Sequence, residues 1–206
     1  MILTFKQCGI AGLLTIIPSN ERSFVDEMAN FNFPEKRSLK LKEVMGYDKH
    51  RIVDGPVCVS DLAVAGMEHL FANKLLERDG FDALIVVTQS PDYIMPPTSN
   101  VIQGRLGLKQ DLLCMDINQG CAGFLIGLMQ GFLLLGQPSV ERVVLINADV
   151  LSRKVSARDR NSYPLIGDAA SIAILERNSD PTPIHMNLQM DGTRGDALPR
   201  GRLHHQ

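Results

Sequence analysis

Apolar residues follow two spacings along the chain, and these spacings predict the order of strands and helices. Continuous runs of Val, Ile and Leu are typical of strands covered on both faces. Runs in which apolar and polar residues alternate are typical of strands with one exposed face. Six segments have one of these patterns: 3–17, 83–88, 112–115, 143–146, 170–175 and 183–190. We expect the first strand to bend at Gly9 and Gly12 and the run at 112–115 to be buried.

Helical spacing fills the intervals between these strands. Five segments carry it: 24–30, 38–45, 60–78, 101–106 and 122–135. Ser23 and Ser60 stand where helices are expected to begin, and Gly46 and Gly107 where they are expected to end. Strands that alternate with helices indicate an α/β fold with a largely parallel sheet.

Composition narrows the class of protein. Of the 206 residues, 45% are hydrophobic and 21% charged, and the net charge of −2 favours neither nucleic acid nor an anionic membrane as a partner. No apolar run reaches the roughly 18 residues of a membrane span. Four cysteines without metal-ligand spacing are expected to be reduced thiols in a cytoplasmic protein, so we expect no metal.

Cys121 is the candidate nucleophile. The apolar run 112–115 leads through the turn 118–120 to Cys121, and the helical stretch 122–135 follows at once. A strand that turns sharply into a helix exposes the residue at the turn, where the positive end of the helix dipole favours a thiolate. The glycines on either side of Cys121-Ala122 would let a substrate approach the backbone. The alternative is an inert cysteine buried at the end of a strand.

The stretch NQGCAGFLIGLMQG around Cys121 resembles the nucleophile region of β-ketoacyl-acyl-carrier-protein synthase III, a thiolase-like condensing enzyme. Three further blocks resemble the same family in the same order: 88–98 (TQSPDYIMPPT), 148–152 with 159–160 (ADVLS, DR) and 166–170 (IGDAA). Four ordered blocks between residues 88 and 170 identify the chain as resembling the N-terminal half of that family.

The resemblance implies a thiolase-like half: a five-stranded, mostly parallel mixed sheet with helices on both faces. It implies a first domain over 1–178 and the start of a truncated second half over 179–206. It also implies an acyltransferase that loads an acyl group onto Cys121 and condenses it with malonyl-acyl-carrier protein in fatty acid or related acyl biosynthesis. No cofactor is expected, since coenzyme A thioesters would be substrates.

Four further residues are carried over from the resemblance as substrate-binding residues. Arg160 matches an arginine near the coenzyme A adenine, and Arg51 is a remnant of a phosphate contact or a solvated charge. Met95 stands where the family often has a phenylalanine that crosses the dimer interface. Asn118 belongs to the turn before the nucleophile. Asp168 is expected to be structural. The implied partners are acyl-coenzyme A, acyl carrier protein and a second copy of the chain.

The family takes a catalytic histidine and asparagine from its other half, and none of the five histidines here lies in a matching motif. Three readings therefore stay open at the level of sequence. The chain is a condensing enzyme, a related non-condensing acyltransferase, or a catalytically incomplete half that acts as a partner or scaffold.

Overall fold

A five-stranded sheet forms the centre of the computed structural model, which describes residues 1–180 and 182–194. Its strands, in spatial order, are β2 (Cys8–Ile16), β8 (Ala169–Arg177), β7 (Arg142–Asp149), β5 (Ala83–Val87) and β6 (Leu113–Ile117). β5 runs parallel to β6 and β7, whereas β8 is antiparallel to β7 and β2. Four strands thus share one direction, and the expected mostly parallel mixed sheet is confirmed.

Helices cover both faces of this sheet, as expected. On one face, α3 (Val59–Ala72) and α4 (Thr98–Leu106) pack against Leu84, Val86 and their neighbours. On the other, α5 (Gly123–Leu135) packs against Ile85, Val87 and theirs. The alternation of side chains along each strand sends successive residues into the two cores, which explains why β5 is apolar throughout.

The remaining elements form two small sheets and a helical layer. They are β1 (Ile2–Phe5), β3 (Glu21–Ser23), α1 (Phe24–Glu27), α2 (Glu35–Met45), β4 (Lys49–Arg51) and β9 (Ile184–Asn187). Short 3-10 turns occupy Met28–Phe31, Gly120–Ala122, Leu151–Arg153, Tyr163–Leu165 and Gly192–Arg194. β1 pairs with β9, and β3 pairs with β4, both antiparallel. No helix among the described residues is long and apolar enough to cross a membrane.

Two expectations about the strands are wrong. The single strand over 3–17 is two strands in different sheets, because the chain breaks at Lys6-Gln7, where Gln7 has a φ of 56°. The run at 112–115 becomes an edge strand, with Leu113 44% exposed, because β6 pairs only with β5 among the described strands. A division of the chain at 178–179 stays a prediction, and His204 and His205 lie outside the described residues.

Helix boundaries follow local signals at some ends and tertiary contacts at others. The Ser23 hydroxyl accepts a hydrogen bond from Val25 N–H, and α1 begins there as predicted. Gly46 and Gly107 end α2 and α4 with left-handed backbones, also as predicted. The prediction for Ser60 is wrong: Cys58 is the N-cap, since Asp61 accepts its N–H at 2.7 Å, and the helix ends at Ala72.

α5 lies unusually close to the sheet because glycines recur every four residues on its inner face. A Cβ at Gly123 would lie 2.4 Å from Val87 Cγ1, and one at Gly127 would lie 2.7 Å from Leu145 Cδ1 and 2.9 Å from Val87 Cγ2. A Cβ at Gly131 would lie 2.4 Å from Leu175 Cδ1. These contacted side chains are buried, so little space exists into which they could move.

We expect Gly127→Ala to lower the free energy of unfolding by about 1–2 kcal/mol, since overpacking outweighs the gain in helix propensity. The matched control is Gly104→Ala in α4, where an added Cβ meets no atom within 4 Å. That change is expected to raise stability by about 0.5 kcal/mol. Urea denaturation of the three proteins measures both effects, and equal changes at the two glycines would contradict the close packing.

Candidate active site

Cys121 lies at the turn between β6 and α5, which is the strand–turn–helix arrangement expected from the sequence. It sits in the 3-10 turn Gly120–Ala122, directly before the first residue of α5, and its side chain is exposed. Gly120 has a φ of 53°, a backbone conformation that favours glycine. The alternative of a cysteine buried at the end of a strand is therefore wrong.

A cleft of about 340 Å³ opens beside Cys121. Its floor is one row of side chains across four strands, because Val87 pairs with Asn147, Asn147 with Ser171, and Ser171 with Thr15. The other lining residues come from the nucleophile turn and α5, the loop after β5, the end of β7, and the turn into β8. They are Gln89, Gly120, Phe124, Ala148, Asp149, Gly167, Ala169 and Ala170. The IGDAA block thus lies against the nucleophile turn, although the two are far apart in sequence.

Asp149 fixes the wall that carries Gln89. Its Oδ1 accepts hydrogen bonds from Gln89 N–H at 2.7 Å, from the Ser90 hydroxyl at 2.8 Å and from the Thr88 hydroxyl at 3.1 Å. The Ser90 hydroxyl in turn accepts from Val150 N–H at 2.8 Å. A carboxylate with this many donors holds the loop after β5 against the end of β7.

Asp168 plays the structural part expected of it. Its carboxylate is buried and accepts hydrogen bonds from Val53 N–H at 2.9 Å, from Ser152 N–H at 3.0 Å and from the Ser152 hydroxyl at 2.5 Å. Its own N–H donates to the Arg51 carbonyl at 2.8 Å. Three segments therefore meet at the turn that forms one wall of the Cys121 cleft.

A buried polar cluster supports the same turn from below. His50 donates from Nδ1 to the Ile166 carbonyl, and its Nε2 lies 2.8 Å from Glu27 Oε2. The Tyr163 hydroxyl donates to the other Glu27 oxygen at 3.4 Å. Burial raises the pKa of Tyr47 to about 12, and burial and the nearby Glu27 raise the pKa of Tyr163. Both phenols therefore stay neutral across the physiological range.

None of the four predicted substrate-binding residues lines this cleft. Asn118 is exposed and is not among the lining residues, and Met95 is 79% exposed in the loop after β5. Arg51 forms an ion pair with Glu21 at 3.0 Å and donates to the Ser19 carbonyl at 3.0 Å. The Arg51 side chain thus joins β3 and β4 while remaining 43% exposed, which agrees with a solvated charge.

Arg160 lines a second cleft, of about 480 Å³, between α2 and the crossover after β7. Its guanidinium carbon lies 3.9 Å from the centroid of the Phe33 ring, and that of Arg37 lies 5.9 Å from the same ring. Lys40, Leu41, Val44 and Asn161 complete the lining. Sequence reasoning missed Phe33 and Arg37, although an aromatic residue four positions before an arginine at a helix start was a usable signal.

The cysteines differ in the environment of the thiol. Burial raises the pKa of Cys8, and burial together with the charge of Asp116 raises the pKa of Cys114 to about 11. Cys121 is exposed, and Cys58 is partly exposed. Among the described residues, no group of three or more His, Cys, Asp and Glu side chains is arranged to hold a metal ion.

We expect limiting iodoacetamide at pH 7.5 to label Cys121 before the other cysteines. With a pKa of about 11, only about one Cys114 side chain in several thousand is a thiolate at that pH. Labelling of Cys114 should accelerate about tenfold for each pH unit toward 11 as the thiolate fraction grows. Peptide mass spectrometry measures each site, with the urea-unfolded chain and Cys121→Ser as controls. Comparable labelling of Cys114 and Cys121 at pH 7.5 would contradict the assignment of a buried thiol to Cys114 and an exposed one to Cys121.

Comparison with known proteins agrees with the arrangement of the site. The family model for 3-oxoacyl-[acyl-carrier-protein] synthase III matches residues 115–192, which include Cys121 and both walls from β7 and β8. A Campylobacter jejuni protein named for 3-oxoacyl-[acyl-carrier-protein] synthase 3 is 32% identical over 202 residues, covering 97% of this chain and 57% of the relative. A β-ketoacyl-[acyl-carrier-protein] synthase III of Streptococcus suis is 34% identical over 161 residues, covering 78% of this chain and 49% of the relative.

Solved structures of synthases named in the same way have a similar fold over most of this chain. The crystal structure of a 3-oxoacyl-(acyl-carrier protein) synthase from Burkholderia xenovorans aligns with a TM-score of 0.83 and 29% identity, over 90% of this chain and 52% of that one. The synthase III of Thermus thermophilus aligns with a TM-score of 0.71 and 26% identity, over 82% of this chain and 51% of that one. The chain thus spans about half the length of the relatives it matches. By the sequence around Cys121 and by the fold that carries it, the chain is similar to roughly one half of a 3-oxoacyl-[acyl-carrier-protein] synthase III.

Proposed function

We propose that the chain supplies the acyl-cysteine step of a 3-oxoacyl-acyl-carrier-protein synthase III reaction in fatty acid or related acyl biosynthesis. The observation that carries the proposal is the exposed Cys121 in a cleft at the start of α5. Its thiolate attacks the carbonyl carbon of an acyl-coenzyme A thioester. The coenzyme A thiolate then leaves and takes up a proton, and the acyl group stays on sulfur.

The start of α5 supports this step electrostatically. The aligned peptide dipoles of α5 and of the 3-10 turn before it add positive potential at this end, where the N–H groups of Ala122 and Gly123 donate to the Gln119 and Gly120 carbonyls. This potential favours the thiolate before attack and the oxyanion that forms during it. Small residues around Cys121, namely Gly120, Ala122 and Gly123, keep the approach to the sulfur open.

The second cleft suits the nucleotide end of coenzyme A. A flat aromatic ring with one guanidinium stacked 3.9 Å from its centre and a second at 5.9 Å offers a stacking surface for a base and positive charge for phosphates. Lys40 adds a further cation to the rim. This role for Arg160 is a proposal, and Phe33 and Arg37 are proposed to act with it.

If this cleft binds the nucleotide, Arg160→Ala should raise the KM for an acyl-coenzyme A about tenfold while the acylation rate at saturation stays the same. An acyl-N-acetylcysteamine, which carries the thioester without the nucleotide, should acylate wild type and variant equally. Arg153→Ala, an exposed charge on the preceding 3-10 turn, is the control. Intact-mass kinetics measure the acyl adduct, and an equal loss with both donors would argue against nucleotide binding.

Acyl carrier protein and a second copy of the chain are the proposed macromolecular partners. β6 leaves one row of backbone groups without a strand partner among the described residues, and Leu113 on it is 44% exposed. An open edge of this kind favours pairing with another strand. We propose a homodimer across β6, with Met95 and its loop near the partner.

Condensation needs donors beyond those near Cys121. Among the described histidines, His50 bonds to Glu27 and Ile166, His185 to Thr4, and His69 lies near Asn73 on α3; none of the three lines the Cys121 cleft. Each preorganised donor that stabilises a developing charge is typically worth about 10²–10³ in rate. We therefore propose that a condensing role draws on donors beyond the described residues.

We expect the 206-residue chain to take one acyl group on Cys121 from acetyl-coenzyme A and to release no carbon dioxide from malonyl-acyl-carrier protein. Intact-mass spectrometry and a radiolabelled carbon dioxide assay measure the two steps, with Cys121→Ser as control. Carbon dioxide release that depends on Cys121 would support a complete condensing enzyme. Acylation with transfer to an oxygen or nitrogen acceptor would favour a non-condensing acyltransferase, and a chain without any adduct would favour a partner or scaffold.

A further inference from the structure

Asn147 interrupts the apolar face that β7 turns toward α5. Leu145 and Val143, two and four residues earlier on the same face, are both fully buried. Alternation along the strand predicts a third apolar side chain at position 147, between Val87 on β5 and Ser171 on β8. The sequence instead has an asparagine, whose carboxamide is costly at such a position unless it has partners.

The Asn147 carboxamide has no such partner among the described residues. Both its Nδ2 and its Oδ1 are buried, and neither forms a hydrogen bond. The residue as a whole is only partly buried and lines the Cys121 cleft. The two carboxamide atoms lie below the surface of the cleft, so pairing with an occupant requires rotation about the side-chain bonds of Asn147.

The neighbours of Asn147 extend this polar character across the floor. In register with it, Ser171 and then Thr15 continue the row toward the edge strand β2, and both line the same cleft. Neighbouring strands are about 4.8 Å apart, so hydrogen-bonding groups recur at that spacing away from Val87. The Val87 end of the row is apolar and lies under Gly123, two residues beyond Cys121.

We propose that Asn147 determines the specificity of the Cys121 cleft, and that the bound acyl group carries a hydroxyl or carbonyl substituent rather than a plain alkyl chain. The proposal rests on the function proposed above, because the occupant is taken to be the group attached to Cys121. A hydroxyl can donate to Oδ1 and accept from Nδ2. An alkyl chain over the same position leaves both atoms unpaired, and sites with unpaired polar groups discriminate against apolar analogues.

A pair of alkylating probes tests the floor without requiring any acyl transfer. N-(2-hydroxyethyl)iodoacetamide and N-propyliodoacetamide have the same number of heavy atoms, and each forms a sulfur–carbon bond to Cys121 with release of iodide. We expect the rate ratio of hydroxyl to propyl probe, normalised to free cysteine, to be about tenfold in the wild type. In Asn147→Val it should fall to one or below. A normalised ratio of one in the wild type would overturn the proposal.

Thermal unfolding gives a second, independent measurement. Because the buried carboxamide lacks partners, Asn147→Val should raise Tm by about 2–8 °C. The matched control is Asn187→Val, the same change at an exposed position of β9, which should alter Tm by less than about 2 °C. An unchanged or lower Tm for Asn147→Val would mean that the amide already has a partner, such as a buried water, and would also overturn the proposal.

The two experiments separate failure of this inference from failure of the proposed function. If the chain prefers the hydroxyl probe but takes no acyl group from any coenzyme A thioester, the result supports the polar floor and contradicts the acyltransferase role. If the chain is acylated on Cys121 but shows a normalised probe ratio of one, the result supports the acyltransferase role and contradicts the specificity assigned to Asn147.

Discussion

The close contact between α5 and the central sheet is the constraint on which the rest of the site depends. Gly123, Gly127 and Gly131 recur every four residues, so one face of the helix has no side chains to hold it away from the sheet. The helix therefore lies directly on Val87, Leu145 and Leu175. Since Cys121 lies two residues before the first residue of this helix, the same contact sets the thiol over the ends of β5 and β7, where the cleft forms.

Buried and half-buried carboxylates hold the loops that surround this contact. Asp149 and Asp168 accept hydrogen bonds from backbone N–H groups of segments far from them in sequence. Asp116 on β6 does the same for α4, accepting from Thr98 N–H at 2.6 Å and Ser99 N–H at 2.8 Å. Each carboxylate gains several donors in exchange for its lost hydration. The walls of the cleft are thus fixed by bonds to backbone, which specify loop positions closely.

The two clefts differ in chemistry, and each is proposed to bind a different part of the substrate. The cleft beside Cys121 combines a nucleophile and a helix N-terminus with a floor that changes from apolar Val87 to polar Asn147 and Ser171. The cleft at Phe33 and Arg160 combines an aromatic face with positive charge. One arrangement suits an acyl group and the other a nucleotide, which are the two ends of an acyl-coenzyme A. The unpaired Asn147 is expected to lower stability, which is a common cost of groups that a site retains for function.

The sequence by itself determined the features that depend on neighbouring residues. Runs such as 83–88 and 143–146 predicted strands buried on both faces, Gly46 and Gly107 predicted helix ends, and the strand–turn–helix pattern predicted an exposed Cys121. Tertiary structure alone decided the features that need distant partners. α4 begins at Thr98 because Asp116 caps it from β6, and β6 is an edge strand because only β5 pairs with it. Likewise, Phe33 meets Arg160 and Asn147 meets Ser171 only through chain crossings and strand register, which short-range patterns do not contain.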